Sequence, residues 1–162
     1  MKIIAIDPGY ERVGIAVLEK VSGGKETLIF SECFKTLVKE KHEKRLDLIG
    51  TEVSKIIKKY KPEALAIETL FFETNAKTAM KVSEARGVML YEAAKNDLVV
   101  KEFTPLEIKV AVTGYGKSDK GQVISMVNRL IKVDKEIKHD DEYDAIAVGL
   151  TYFAIVKSFP QA

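Results

Sequence analysis

Two short apolar runs that each end on an acid constrain this chain more than any other feature: Ile3-Ile4-Ala5-Ile6-Asp7 and Ala64-Leu65-Ala66-Ile67-Glu68. Short apolar runs without alternation predict strands buried on both faces, the environment of central parallel strands. A carboxylate at the end of such a strand loses hydration, which is costly unless something compensates it. If both strands are central and parallel, their C-terminal ends lie side by side, at the edge where α/β sheets place ligands. Singly, each acid has an ordinary explanation. Asp7 precedes the turn dipeptide Pro8-Gly9, and Glu68 would serve as a lysine's partner or a helix cap. The pair is what points to a site.

The remaining periodicities build a frame around these two strands. Residues 13–18 and 27–34 read as further strands, set off by Pro8-Gly9 and Ser22-Gly23-Gly24, so the first three strands form an antiparallel meander. Leu46, Ile49, Val53, Ile56 and Ile57 recur at helical spacing, which predicts an amphipathic helix over 40–60 that Pro62 stops. Residues 64–67 form a strand parallel to the first, 75–95 a long helix, and 98–103 a fifth strand. Pro105 opens a short helix ending near Gly114. Ser118 is the expected N-cap of a helix carrying Val123, Met126, Val127, Leu130 and Ile131 on one face. The last helix begins within 139–141 and runs to about 157. This order predicts an α/β fold: a mixed five-stranded sheet, first three strands antiparallel, with helices on both faces. No repeat or linker divides the sequence, so 1–162 reads as a single domain large enough for a real core.

Composition narrows the chemistry. The one cysteine, Cys33, has no disulfide partner, and the apolar start is broken at Asp7, too short for a signal segment, so a cytoplasmic location is expected. The apolar stretch 145–156 suits a buried helix rather than a membrane span, which needs about 20 residues. Two histidines and one cysteine leave carboxylates as the plausible metal ligands. The net charge of +2 permits nucleic-acid binding without demanding it. Two bound divalent cations would raise it to roughly +6 at a phosphate backbone.

A third acidic element, Asp140-Asp141-Glu142-Tyr143-Asp144, opens the last helix. Asp141 and Asp144 stand at i and i+3 and share a face of its first turn. Acids also belong at helix N-termini because they oppose the macrodipole, so this element alone decides nothing. If it meets Asp7 and Glu68, four carboxylates repel one another and divalent metal resolves the repulsion. Oxygen ligands alone point to Mg²⁺, with Mn²⁺ as substitute. Two ions about 4 Å apart would clamp one phosphodiester between attacking water and departing 3′ oxygen.

On these residues the chain resembles the RuvC family of Holliday-junction resolvases. The resemblance spans nearly the whole length. It rests on Ile6-Asp7-Pro8-Gly9, Ala66-Ile67-Glu68-Thr69-Leu70-Phe71, Ala85-Arg86-Gly87, the block from Gly114-Tyr115-Gly116-Lys117-Ser118 to Val123, and Asp141-Glu142-Tyr143-Asp144-Ala145-Ile146-Ala147, in order and with matching gaps. It implies an RNase H-like fold and a homodimer that nicks two strands of a four-way DNA junction symmetrically, leaving 5′-phosphate and 3′-hydroxyl ends. The family's catalytic and metal-binding tetrad falls on Asp7, Glu68, Asp141 and Asp144, with Asp140 and Glu142 as rivals for the third place. The resemblance also implies Lys109 and Lys120 near the scissile phosphate, Phe71 stacked on an unpaired base, a dimer formed through helix 75–95, and a branch-migration motor as partner.

Further DNA contacts are expected from Lys77, Lys81 and Arg86 on that helix, and from Lys117 and Lys120 near a helix start, although basic side chains are ordinarily just a solvated face. The block ending in Gly116-Lys117-Ser118 invites a nucleotide-binding loop, but Ala111 stands where the first glycine is needed and no strand leads in, so no nucleotide cofactor is expected. Three other readings compete. A YqgF-type nuclease acting on structured RNA opens similarly to Ile6-Asp7-Pro8-Gly9 and Arg12-Val13-Gly14-Ile15-Ala16-Val17. A ribonuclease H-like ATPase would repeat the core over a longer chain. A non-catalytic junction binder would keep Lys109 and Lys120 without needing the four acids together.

Overall fold

Alternation along the strands decides which helices cover which side of the sheet. The computed structural model describes residues 1–70 and 76–156, the backbone alone at 76 and 77. Among the described residues the order is β1 (Lys2–Asp7), β2 (Arg12–Lys20), β3 (Glu26–Lys35), α1 (His42–Tyr60), β4 (Ala64–Glu68), α2 (Ala76–Lys95), β5 (Val99–Phe103), α3 (Pro105–Thr113), α4 (Lys120–Leu130) and α5 (Asp140–Ile155). The strands form one sheet in the order β3-β2-β1-β4-β5. β1 and β2 are antiparallel, as are β2 and β3, whereas β4 runs parallel to β1 and β5 parallel to β4. This is the mixed sheet that the sequence pattern predicts.

In β1, Ile4 and Ile6 join Val13, Ile15, Val17, Leu65 and Ile67 beneath α1 and α2. Ile3 and Ala5 join Ala16, Leu18, Ala64 and Ala66 beneath α3, α4 and α5. Both neighbours of β1 are strands, so its apolar residues face helices on either side, and Ile3, Ile4 and Ile6 are 0% exposed. Each such isoleucine contributes about 1.5–3 kcal/mol relative to leaving it in water. The two faces differ in side-chain size. Isoleucines, valines and Leu65 meet α1 and α2, while Gly14 and several alanines join Ile3 and Leu18 on the other face, where α5 approaches the sheet closely. A Cβ on Gly149 would lie 2.4 Å from Leu18 Cδ1. The apolar stretch from Ala145 lies in this helix, largely buried. Among the described residues, no helix is long and apolar enough to cross a membrane.

Helix ends follow local chemistry. α1 closes on Lys61 in the left-handed conformation (φ 49°), its N–H returning to the Ile57 carbonyl. α3 opens with a capping box between Thr104 and Glu107 and closes on Gly114 at φ 76°. The expected Ser118 cap of α4 is corrected to Asp119, whose carboxylate accepts from the Gln122 N–H while the Gln122 side chain accepts from the Asp119 N–H. Ser118 is buried instead, its hydroxyl donating to the Tyr115 carbonyl. Position 75, the expected start of the long helix, and position 157, the expected end of the last, lie outside the described residues.

Candidate active site

Strand parity aims the first two acids. Asp7 continues the Ile3–Ala5 face of β1, and Glu68 continues the Ala64–Ala66 face of β4. The parallel register pairs Ile6 with Ile67, so Asp7 and Glu68 follow side by side at the strand ends. Both point toward the side covered by α5, and their carboxyls share a hydrogen bond.

A glycine brings the third element to them. Gly14 of β2 stands opposite Asp7, and a Cβ there would lie 1.8 Å from the Asp141 carbonyl oxygen and 3.2 Å from Ala145 Cβ. Only a residue without a side chain lets the first turn of α5 rest on the sheet here. Asp140, Asp141 and Glu142 then fan out along the turn. Asp140 pairs with Lys120. Glu142 is buried against β3, accepting from Ser31 Oγ at 2.6 Å and pairing with Lys135 Nζ at 2.5 Å. Asp141 is the one whose charge acts on Asp7, and Asp144 acts on both Asp7 and Glu68.

The electrostatics are those of acids crowded out of water. Burial, then the charges of Glu68, Asp144 and Asp141, hold Asp7 well above the usual carboxylate range, against a smaller pull from Lys120. Burial and Asp144 push Glu68 up to about 7, while the hydrogen bond from Asp7 and the charges of Lys120 and Lys109 oppose that. Burial also raises Asp144, although Lys120 at 3.2 Å pulls it back. Asp140 falls below its ordinary value through its hydrogen bond to Lys120. Burial disfavours the Lys120 ammonium, yet its bonds to Asp140 and Asp144 outweigh that and leave it raised.

Cations flank the acids on two sides. Lys120, the first residue of α4, bridges Asp140 and Asp144. Arg12 Nε lies 3.1 Å from Asp141 Oδ2. Glu68, Asp144, Lys109 and Lys120 line a cavity of about 290 Å³ with Pro105, Ile108, Val123 and Ala147. Among the described residues, no three His, Cys, Asp or Glu side chains stand as a ready ligand set. The donors that converge are nonetheless all carboxylate oxygens whose mutual repulsion and burial favour a hard divalent ion, so the residues fit Mg²⁺ or Mn²⁺.

Other expected residues fall at varied distances from this centre. Lys117 is exposed. Lys81 is exposed too, its ammonium 5.4 Å from the Tyr10 ring centroid. Arg86 is turned inward, donating to the Glu68 carbonyl at 3.1 Å and pairing with Glu102, so it braces the end of β4. Phe71 and the Lys77 side chain lie outside the described residues. Sequence reasoning missed Arg12 and Lys135. Arg12 was findable, since it lies two residues before Gly14 and shares its face of β2. Lys135 reaches Glu142 from a loop and carries no local signal.

Comparison with known proteins gives this geometry a family. Residues 3–152 match the profile described as "Crossover junction endodeoxyribonuclease RuvC". A protein of that description from Thermosipho melanesiensis is 49% identical over 149 residues, covering 92% of this chain and 94% of the relative. Another from Fusobacterium nucleatum is 38% identical, with 94% and 80% covered. The RuvC of Thermus thermophilus superimposes with a TM-score of 0.86 at 29% identity, covering 96% and 95% of the two chains. Its complex with a Holliday junction substrate gives 0.87 at 30% identity, with 94% and 92% covered. With an RNase H-like sheet, its acids at the strand ends and a match along nearly its whole length, this chain belongs to the RuvC family of crossover junction endodeoxyribonucleases.

Proposed function

We propose that the chain resolves four-way DNA junctions by hydrolysing one phosphodiester in each of two strands. The observation that carries this reading is the mutual electrostatic action of Asp7, Glu68, Asp141 and Asp144 at one end of the sheet. These four would hold Mg²⁺, two ions per centre, with Mn²⁺ as substitute. When bound, the ions supply the positive charge that draws a phosphodiester onto the acids and lowers the barrier to attack by water. Attack at phosphorus breaks the bond to the 3′ oxygen, which leaves as a hydroxyl, and the other product keeps a 5′-phosphate. Lys109 and Lys120 border the cavity beside Glu68 and Asp144, where they would hold the phosphate's remaining charge. Phe71, three residues past Glu68, would stack on a base at the crossover.

Symmetric cutting requires two centres related by a twofold axis. Exposed Met80 and Tyr91 on α2 support a dimer through that helix. The test is to incubate the protein with a four-way junction, with and without Mg²⁺, beside an Asp7→Asn variant and a structured RNA. Paired nicks near the crossover, lost in the variant and on chelation, are expected. Preferential cutting of the RNA would transfer the chain to the YqgF-type activity. Junction binding without nicking would make it a binding protein.

A further inference from the structure

A second cavity, of about 680 Å³, opens beside Asp141 and is lined by residues other than those around Lys120. Its charged lining comes from Glu11 in the turn after β1, from Arg12 at the start of β2, from Arg45 of α1, from Lys81 of α2 and from Asp141 itself. Arg45 is a fixed positive charge beneath it. The side chain is 4% exposed, donates from Nε to Thr36 Oγ1 at 2.8 Å, and stacks 3.7 Å from the Tyr10 ring centroid. Tyr10 is pinned in turn, its hydroxyl 2.8 Å from His42 Nδ1. The cavity therefore has a rigid cationic base and two exposed cations, Arg12 and Lys81, at its border. Such a lining suits a phosphate.

We propose that this cavity takes a backbone phosphate of the cleaved strand, and that Arg12 exchanges between Asp141 and that phosphate. The proposal rests on the nuclease reading above and extends it to a residue outside the acid tetrad. Arg12 is 49% exposed and Asp141 19%, so their ion pair is partly screened and weak, worth at most a factor of about five in any competing equilibrium. A divalent ion on Asp141 carries twice the charge and displaces the guanidinium. Arg12 remains charged at any working pH, and its planar fork matches phosphate oxygens. The site thus trades one partner for another instead of stranding a cation. By linkage, metal loading and junction binding favour each other through this exchange.

Two measurements on Arg12→Gln decide the matter, neither needing cleavage. In Mn²⁺ titration without DNA, read from the free-ion resonance, the variant is expected to bind about two- to fivefold more tightly, because Asp141 has lost its competitor. With a four-way junction in Ca²⁺, strands verified intact on a denaturing gel, it is expected to bind several-fold more weakly, its salt slope reduced by about one. Lys81→Gln separates the two effects: it should weaken junction binding and leave Mn²⁺ affinity unchanged. Weaker Mn²⁺ binding by Arg12→Gln would mean that Arg12 orients Asp141 as a ligand, and would overturn the exchange. Unchanged junction affinity and slope would show that Arg12 does not reach DNA, with the same consequence. A wild-type chain that binds no four-way junction would sink the resolvase reading instead, and the Mn²⁺ arm would still judge Arg12's hold on Asp141.

Discussion

Replacing Glu68 with glutamine should stabilise the metal-free protein at alkaline pH while abolishing its nuclease activity. Burial, followed by the Asp144 charge, lifts the Glu68 carboxyl from an ordinary 4.5 to about 7. The folded state therefore holds this proton more tightly than the unfolded chain does. Stability from that proton is fully present below about pH 4.5 and is lost as pH climbs through about 7. At about 1.4 kcal/mol per pH unit, the gap amounts to about 3 kcal/mol. Asp7 shares a hydrogen bond with Glu68 and is raised partly by its charge, so glutamine relieves both carboxyls in the same direction. The assay is urea unfolding in EDTA of wild type and Glu68→Gln at pH 4.5 and pH 8. The variant should match wild type within a fraction of 1 kcal/mol at the lower pH and exceed it by about 3 kcal/mol at the higher. Adding Mn²⁺ at pH 8 should then raise the wild-type melting temperature and move the variant's less. Equal effects of the mutation at both pH values, or destabilisation that grows with pH, would refute the claim that repelling, desolvated carboxylates define this site.

Three further outcomes follow from the same geometry. Gly14→Ala should remove activity and lower stability by at least about 2 kcal/mol, checked by unfolding and by Mn²⁺ titration, because the new Cβ meets the Asp141 carbonyl at 1.8 Å and α5 must lift from the sheet. Lys135→Ala should cost about 1–2 kcal/mol in urea unfolding, since Glu142 is buried and keeps Ser31 as partner when the lysine, itself half exposed, is removed. Divalent-ion binding near pH 6.5 should release a proton from Glu68, whose carboxyl is pushed up to about 7, seen as a calorimetric heat that varies with the buffer's ionisation enthalpy, and this contribution should fade as pH rises above that value.

The strand half of the site was legible because period two fixes both burial and direction. Once residues 3–6 and 64–67 are central and parallel, Asp7 and Glu68 stand at neighbouring strand ends, and the register that pairs Ile6 with Ile67 sets both on one face. The helix half was not legible, for a physical reason. Asp140, Asp141 and Glu142 all oppose the macrodipole equally well, and only tertiary partners distinguish them. Those partners lie outside the helix, at Arg12 for Asp141, Ser31 and the loop residue Lys135 for Glu142, and Lys120 for Asp140. The cap of α4 is a different kind of miss. Ser118 and Asp119 are both good caps, but only Asp119 has a glutamine three residues on, at Gln122, whereas Ser118 has Gly121. That discrimination was present in the local sequence.

The placement of charge explains how a chain of net +2 keeps so many acids at one edge of its sheet. The outer carboxylates all have a cation beside them, Asp140 and Asp144 sharing Lys120 of α4 and Asp141 facing Arg12 of β2. The inner pair, Asp7 and Glu68, lies where strand ends and α5 exclude water, and it meets its repulsion by sharing a hydrogen bond instead. The electrostatic cost is therefore concentrated on the two residues whose position the strand pattern fixes most rigidly. A divalent ion would gain most there, because it would relieve repulsion that no lysine or arginine among the described residues fully offsets. The outer cations, being half exposed, are the ones free to turn toward phosphate when that happens. On this reasoning the acids and their counter-ions form one device. The buried pair would draw the metal, and the cations that the metal displaces would hold the substrate.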